Sequence, residues 1–115
     1  MNDGEARRQS PRLDKVIHER ARLIILAYLS SSGQSSIGFI ELREKLALSA
    51  GNLSIQIRNL ESAGYVKIEK SFVDNKPNTR VSLTAKGGRA LQGYLAEMET
   101  LIGRLKPAGR KTRKD

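Results

Sequence analysis

Residues 48–65, LSAGNLSIQIRNLESAGY, predict a helix whose two faces differ in chemistry. Leu53, Ile57 and Leu60 recur at the spacing of one helical face, which we expect to be buried. The opposite face carries small or uncharged side chains and an isoleucine, where exposed faces are usually rich in Glu and Lys. The helix is expected over about residues 50–63, with Gly64 as its left-handed C-cap. Its outward face is the first candidate for a binding surface.

The segments before this helix predict two further helices. The stretch IGFIELREKLAL (residues 37–48) repeats its apolar residues at helical spacing and should end near Ala47. Only a few residues separate it from the next helix, which is the spacing of a helix-turn-helix. Upstream, LDKVIHERARLIILAYLS (residues 13–30) predicts a first helix that becomes apolar nearly all round, so more than one of its sides must be covered.

After Gly64 the apolar residues no longer recur at helical spacing but at every second position, as in a strand. YVKIEKSF (residues 65–72) and TRVSLT (residues 79–84) alternate, with Tyr65 expected on the outward face of the first strand. The polar segment VDNKPN (residues 73–78) between them predicts an antiparallel hairpin with an extended, flexible tip. Thr84 is placed to cap a long final helix over roughly residues 85–105. This order of elements predicts a winged helix-turn-helix: an α+β fold, mostly α, with three helices, a β-hairpin wing and a long C-terminal dimerisation helix.

Length and charge suggest one domain with basic ends. The 115 residues carry a net charge of +9, and residues 104–115 hold six bases against one acid. We expect a disordered N-terminal arm over residues 1–11, the winged helix domain with its C-terminal helix over 12–105, and a basic disordered tail over 106–115. No apolar stretch is long enough for a membrane span and no signal peptide is evident, so we expect a cytoplasmic, nucleoid-associated protein that does not bind membranes.

The stretches GNLSIQIRNLESAGYVKIEKSF and KPNTRVSLTAKG resemble winged-helix transcriptional regulators of the MarR and ArsR type, and the resemblance extends over residues 13–101. Its most specific elements are Gly51, Asn52, Leu53 and Ser54; Leu60, Glu61, Ala63, Gly64 and Tyr65; Lys70; and Pro77, Thr79, Leu83, Thr84 and Gly87. The chain departs from the family pattern at Ile55 and Gln56, where a basic residue or histidine is usual, and at Gly88, where arginine often stands. The resemblance implies a dimeric DNA-binding repressor or activator.

The side chains on the outward face suit the major groove of double-stranded DNA. Asn and Gln can bridge adenine, Ser can donate or accept, Arg can pair with guanine, and an aliphatic group can meet a thymine methyl. The candidate base-reading residues are Asn52, Ser54, Ile55, Gln56, Arg58 and Asn59. Alternatively, Asn52 and Ser54 cap the start of the helix, and Ile55 packs beneath the wing or a neighbour.

Basic and polar residues in the hairpin and tail suit the DNA backbone. The candidate wing contacts, within about residues 70–80, are Lys70, Lys76, Asn78, Thr79 and Arg80. Arg80 is the best candidate for insertion into the minor groove. The candidate nonspecific contacts in the tail are Arg110, Lys111, Arg113 and Lys114. A solvated loop and a solubilising tail are the alternatives.

The last helix carries an apolar stripe wide enough to pack against another helix along its length, and within a monomer the first helix could cover it. The first helix also has surplus apolar surface that needs covering. We expect part of the stripe to pack on the first helix and the rest on a second copy of the chain. The candidate homodimer residues are Leu23, Ile24, Leu91, Tyr94, Leu95, Met98, Leu101 and Ile102.

No residue pattern suggests an enzyme or a cofactor. The chain has no cysteine and one histidine, which disfavours a metal site, and no catalytic residues are evident. A space between the first and last helices could hold a small apolar effector, but no sequence feature indicates one. Two other functions stay open: a nucleoid or RNA-associated protein with little sequence preference, and a winged-helix protein-interaction module.

Overall fold

The computed structural model describes residues 13–106, which form four helices and a three-stranded antiparallel sheet. The sheet order is β1-β3-β2, so the hairpin is extended by one short strand. The elements in chain order are α1 (Arg20–Ser31), β1 (Ile37–Gly38), α2 (Phe39–Leu46), α3 (Ala50–Ser62), β2 (Val66–Val73), β3 (Lys76–Leu83) and α4 (Ala85–Leu105). This mostly helical α+β arrangement confirms the predicted winged helix-turn-helix.

The first helix is shorter than its apolar pattern predicts. It begins at Arg20 instead of Leu13, and a turn precedes it. Asp14 Oδ1 accepts hydrogen bonds from the backbone amides two and three residues further on, at 2.8 and 3.2 Å. This side chain gives the backbone an alternative to the helix, while Ile17 still reaches the core. Glu19 then caps α1 by accepting from the amide three residues on, at 2.9 Å.

The helix-turn-helix is stabilised by local caps at the connection between α2 and α3. Ala47 ends α2 in the left-handed conformation, with φ of 55°. Ser49 caps α3 and accepts a hydrogen bond from the Asn52 amide at 3.1 Å. Gly64, with φ of +82°, turns the chain out of α3 as predicted.

The wing is a tight hairpin, and the prediction of an extended tip is wrong. Strands β2 and β3 pair without interruption from Val66↔Leu83 to Val73↔Lys76. Only Asp74 and Asn75 form the turn, with φ of 52° and 65°. Asp and Asn tolerate this left-handed conformation, and such a turn matches the twist of paired strands.

The core collects one face from each helix and the base of the sheet. It includes Ile25 and Leu26 from α1, together with the predicted face of α3, Leu53, Ile57 and Leu60. Tyr65 also belongs to this core, which corrects the expectation that it faces outward. The left-handed turn at Gly64 precedes it, and its hydroxyl donates to the Asp14 carboxylate.

The C-terminal end of α3, the base of the wing and the start of α4 meet in one hydrogen-bonded junction. Thr84 caps α4 by accepting from the Gly87 amide at 2.9 Å, and it donates to the Gly64 carbonyl at 2.7 Å. Its own amide donates to the Tyr65 carbonyl at 3.1 Å. Gly87 lies so close that a Cβ there would stand 2.1 Å from the Tyr65 oxygen. This close approach sets the position of α3 relative to both the wing and α4.

Candidate nucleic-acid interface

The outward face of α3 is open along its centre, and Ser54 and Gln56 at its two edges are half-buried. Asn52, Arg58 and Asn59 are exposed, and Ile55 keeps 54% of its surface accessible. Ile55 therefore does not pack beneath the wing. The cap of α3 is the Ser49 side chain, so the Asn52 side chain is not needed for capping.

Ser54 and Arg58 face the wing. Arg58 Nη2 lies 3.4 Å from Ser54 Oγ, to which it donates. Both residues line a cavity of about 560 Å³ between α3 and the hairpin, whose other wall includes Lys70 and Thr79. These two wing residues stand opposite each other across β2 and β3. The fold thus brings four of the predicted DNA-binding residues around one groove, although Glu61 adds an acidic group to its lining.

Asn52 and Gln56 face the other edge of α3, toward α1. Gln56 Nε2 donates to Asn52 Oδ1 at 3.0 Å, and Gln56 Oε1 accepts from Arg22 Nη1 at 2.8 Å. Sequence reasoning missed Arg22, because it lies 34 residues from Gln56 and no local pattern connects them. Asn59 lies on the same edge and lines a cavity of about 380 Å³ together with Arg22 and Lys15.

Arg80 lies in the middle of β3, opposite Glu69, and not at the tip of the wing. Its Nε donates to Ser36 Oγ at 2.7 Å and its Nη2 to the Ser36 carbonyl at 2.8 Å. The guanidinium thus holds the segment before β1 against β3, where Gly38 pairs with Arg80. This geometry does not support the expectation that Arg80 enters the minor groove. Arg80 is engaged within its own chain.

The tip of the wing is basic and apolar together. Lys76 is exposed beside the turn, and Asn78 lies opposite Ser71 on the paired strand. Phe72 keeps 74% of its surface accessible and pairs across the hairpin with Pro77. Since side chains alternate along a strand, Phe72 shares the face of Lys70 that looks toward α3. Phe72 is not among the residues predicted from the sequence, although it belongs to an apolar pair directly before the Asp-Asn turn.

The candidate dimer residues fall into two groups. Leu91 and Tyr94 are buried in the core of their own chain, and the Tyr94 hydroxyl lies 2.8 Å from His18 Nδ1. Leu95 and Ile102 are exposed, and they continue toward an exposed Leu105 at the end of α4. The half-buried members are Leu23, Ile24, Met98 and Leu101. An apolar stripe is thus left uncovered on the C-terminal half of α4.

The four basic tail residues that we expect to contact DNA lie outside the described residues, as does the expected N-terminal arm over residues 1–11. Within residues 13–106, no three His, Asp or Glu side chains are grouped so that they could hold a metal ion. In the same span, no helix has the length and apolar character that crossing a membrane requires.

The profile of a family described as the winged helix DNA-binding domain matches residues 21–102. The chain belongs to this family. The match confirms the resemblance to winged helix-turn-helix regulators and identifies the chain with a family of DNA-binding domains. An uncharacterised protein of Methanocaldococcus jannaschii is 34% identical over 84 residues, which cover 73% of this chain and 89% of that protein.

Two solved structures show the same winged helix fold. A transcriptional regulator homologue from Pyrococcus horikoshii aligns with a TM-score of 0.71 and 29% identity, covering 80% of this chain and 89% of the other. A PadR family transcriptional regulator from Eggerthella lenta aligns with a TM-score of 0.60 and 25% identity, covering 75% and 85% of the two chains.

Two tyrosines of this winged helix domain have altered acidity, and both are structural. The hydrogen bond to Asp14, followed by burial and the negative charge of that carboxylate, raises the pKa of Tyr65 to about 12. The hydrogen bond from the Tyr28 hydroxyl to Glu41 Oε2, at 2.8 Å, raises the pKa of Tyr28. Neither hydroxyl faces the groove between α3 and the wing, so these groups stabilise the fold behind the interface.

Proposed function

We propose that the protein is a homodimeric, sequence-specific regulator of transcription that reads double-stranded DNA with α3. The observation that carries the proposal is the open outward face of α3 beside a basic wing. The Pyrococcus transcriptional regulator homologue and the Eggerthella transcriptional regulator support the regulatory part of the proposal.

The major groove of B-DNA is wide enough to admit α3. The groove is about 12 Å wide and accepts one helix. Arg58 and Ser54 would read bases from the wing side of the helix, and Asn52 and Asn59 from the α1 side. Ile55 lies between them, where an aliphatic side chain can contact a thymine methyl. A face rich in carboxylates would instead be repelled by the phosphates.

The wing would contact the backbone beside that groove. Lys70 and Thr79 form the outer wall of the cavity next to Arg58, so they reach the strand that flanks the helix. Lys76 and Phe72 extend further along the same hairpin, toward the adjacent minor groove. Phosphate contacts of this type fix register and add affinity, and base contacts supply the sequence preference.

The uncovered stripe on α4 supports a homodimer. Leu95, Ile102 and Leu105 expose apolar surface along one helix, which a two-fold related copy would bury. Such a dimer would place its two α3 helices about one DNA turn apart, roughly 34 Å, on a palindromic site. The tail bases would add affinity that is independent of sequence and steeply dependent on salt.

Selection from a random duplex pool tests the proposed DNA reading. We expect the full chain to enrich a palindrome whose half-sites are centred about 10 base pairs apart. Enrichment without any consensus would favour an architectural protein with little sequence preference. Failure to retain any duplex would favour a module that binds another protein.

Sedimentation equilibrium tests the dimer separately. We expect the wild-type chain to sediment as a dimer and Ile102→Glu as a monomer, because the substitution places a charge in the shared apolar stripe. The matched control is Ile40→Glu, since Ile40 is 62% exposed but lies at the start of α2. The same monomeric mass for wild type and both variants would contradict the proposed interface.

A further inference from the structure

Arg22 connects α1 to the first two turns of the recognition helix through a directed chain of hydrogen bonds. Its Nε donates to the Val16 carbonyl at 2.5 Å, which anchors the guanidinium. Its Nη1 donates to Gln56 Oε1 at 2.8 Å, and Gln56 Nε2 donates to Asn52 Oδ1 at 3.0 Å. This series of hydrogen bonds ends at Asn52, which is exposed on the first turn of α3.

The direction of this chain follows from the chemistry of arginine. A carboxamide can be turned by 180° with little change of shape, so its partners decide which end faces which way. A guanidinium only donates, and Gln56 must therefore present its oxygen to Arg22. The Gln56 nitrogen is then left to face Asn52, and it can only donate. Asn52 must in turn present its oxygen to Gln56 and its NH₂ group to the outside.

We propose that Arg22 determines base specificity without touching DNA, by fixing the orientation of the Asn52 carboxamide through Gln56. Asn52 then meets the major groove with its NH₂ donors. It favours base edges with acceptors, such as guanine O6 and N7 or thymine O4. The common bidentate pairing of Asn with adenine is disfavoured, because it needs Oδ1 to face adenine N6, whereas the bond from Gln56 holds that oxygen toward the helix and leaves only its second lone pair. The inference rests on the proposed insertion of α3 into the major groove.

The orientation of the Asn52 carboxamide affects base recognition because of where Asn52 lies. In helix-turn-helix proteins, residues near the N-terminus of the recognition helix contact base edges, and Asn52 lies in the first turn of α3. A well-placed side-chain contact discriminates between bases by roughly tenfold or more. Arg22 is thus a positioning residue whose loss should alter preference at one base pair and leave the rest of the site unchanged.

The variant Gln56→Glu tests the donor-to-acceptor order of these hydrogen bonds. The introduced carboxylate still accepts from Arg22 but has no donor for Asn52, so the Asn52 NH₂ group turns toward the carboxylate and Oδ1 turns outward. We expect the preferred partner of Asn52 to change from an acceptor edge to a donor edge, adenine N6 or cytosine N4. The added negative charge weakens binding to every duplex. The readout is therefore the ratio of binding constants among duplexes that differ at one base pair.

The base pair itself is found with Asn52→Ala. Wild type and this variant are each selected against a random pool, and the position at which the variant alone loses its preference is the Asn52 contact. Four duplexes that differ only there are then titrated with wild type and with Gln56→Glu.

Arg22→Met tests the anchor, because it keeps most of the side-chain volume but donates no hydrogen bond. We expect it to reduce the wild-type preference at that base pair by roughly tenfold, with the preferences at other positions retained. Its melting temperature is measured alongside, since the bond to Val16 is lost as well. The control is Lys15→Met, a neighbouring cation near Asn59 and Ser62 that should lower affinity equally for all four duplexes.

The outcomes separate this inference from the function on which it rests. The proposed order of hydrogen bonds would be supported if wild type prefers a base edge with acceptors and Gln56→Glu prefers a base edge with donors. Unchanged base ratios in Gln56→Glu, or in a folded Arg22→Met, would overturn it while sequence-specific binding stands. Wild-type binding without any base preference would overturn the proposed function and this inference together.

Discussion

Replacing Gly87 by alanine perturbs the junction that holds α3, the wing and α4 together. The added Cβ would stand 2.1 Å from the Tyr65 carbonyl oxygen and 3.0 Å from Leu83 Cδ1. The Leu83 methyl can turn aside, but the carbonyl belongs to the backbone and already accepts from the Thr84 amide at 3.1 Å. The junction must therefore open by about 1 Å to restore an ordinary carbon–oxygen contact.

The expected loss of stability follows from three contributions. Forcing extra volume into a packed site costs about 1–3 kcal/mol. Loss of the Thr84-to-Tyr65 hydrogen bond adds about 1 kcal/mol. The better helix propensity of alanine offsets about 1 kcal/mol. The net loss is about 1–3 kcal/mol, which lowers the melting temperature of a domain of this size by roughly 5–20 °C.

Gly88→Ala is the matched control for this experiment. A Cβ at Gly88 would lie 3.8 Å from Leu83 Cδ2, an ordinary contact, so only the propensity gain of up to about 1 kcal/mol remains. Urea denaturation followed by circular dichroism would measure both variants against wild type. A Gly87→Ala protein as stable as Gly88→Ala would refute the close-approach account of the junction.

Three further predictions concern the interface and its support. At neutral pH Tyr65→Phe should be less stable than wild type by about 1.5–3 kcal/mol, since it loses a hydrogen bond to a carboxylate. Because the pKa of Tyr65 is raised, this contribution is complete below pH 10 and is lost as pH rises from 10 to about 12. Urea denaturation should therefore give unfolding free energies for wild type and Tyr65→Phe that converge over this range. A difference that stays constant with pH would contradict the role of the hydrogen bond. Arg58→Ala should reduce the preference for the cognate base by about 1–3 kcal/mol. Lys76→Ala should weaken binding to all duplexes equally and reduce the slope of log affinity against log salt by about 1. Equal losses of affinity for cognate and scrambled DNA in both variants would contradict this division of roles. Phe72→Ala should weaken binding by roughly 1–2 kcal/mol, and Val73→Ala, which lies on the other face of the strand and leaves its cross-strand partner Lys76 in place, should weaken it less; anisotropy titrations that show the same affinity for both variants would exclude a DNA contact by Phe72.

The sequence predicted correctly those helices whose ends are marked by their own capping residues. The apolar repeat of α3 ends at Gly64, which takes the left-handed conformation, and Thr84 caps α4 as its position suggested. Local reading failed where a side chain offered the backbone another partner. Asp14 holds a turn where the apolar repeat predicted helix, and the Asp74-Asn75 pair forms a tighter turn than its polar neighbours suggested.

The candidate interface was predictable as a face but not as a set of contacts. Helical spacing identifies Ile55 and Arg58 as outward-facing, because that assignment needs only the period of one helix. The engagement of Arg80 with Ser36, and that of Arg22 with Gln56, join residues 44 and 34 positions apart. Such pairings depend on how helices and strands pack, which no local pattern encodes.

A salt series of fluorescence anisotropy tests the central claim most directly. It would compare the palindrome enriched by the full chain with a scrambled duplex of the same composition. We expect the palindrome to bind at least about a thousandfold more tightly at physiological salt, in the usual range for specific recognition, with both affinities falling as salt rises. Equal affinities for the two duplexes that disappear together as salt rises would contradict base reading by α3 and leave only binding through charge.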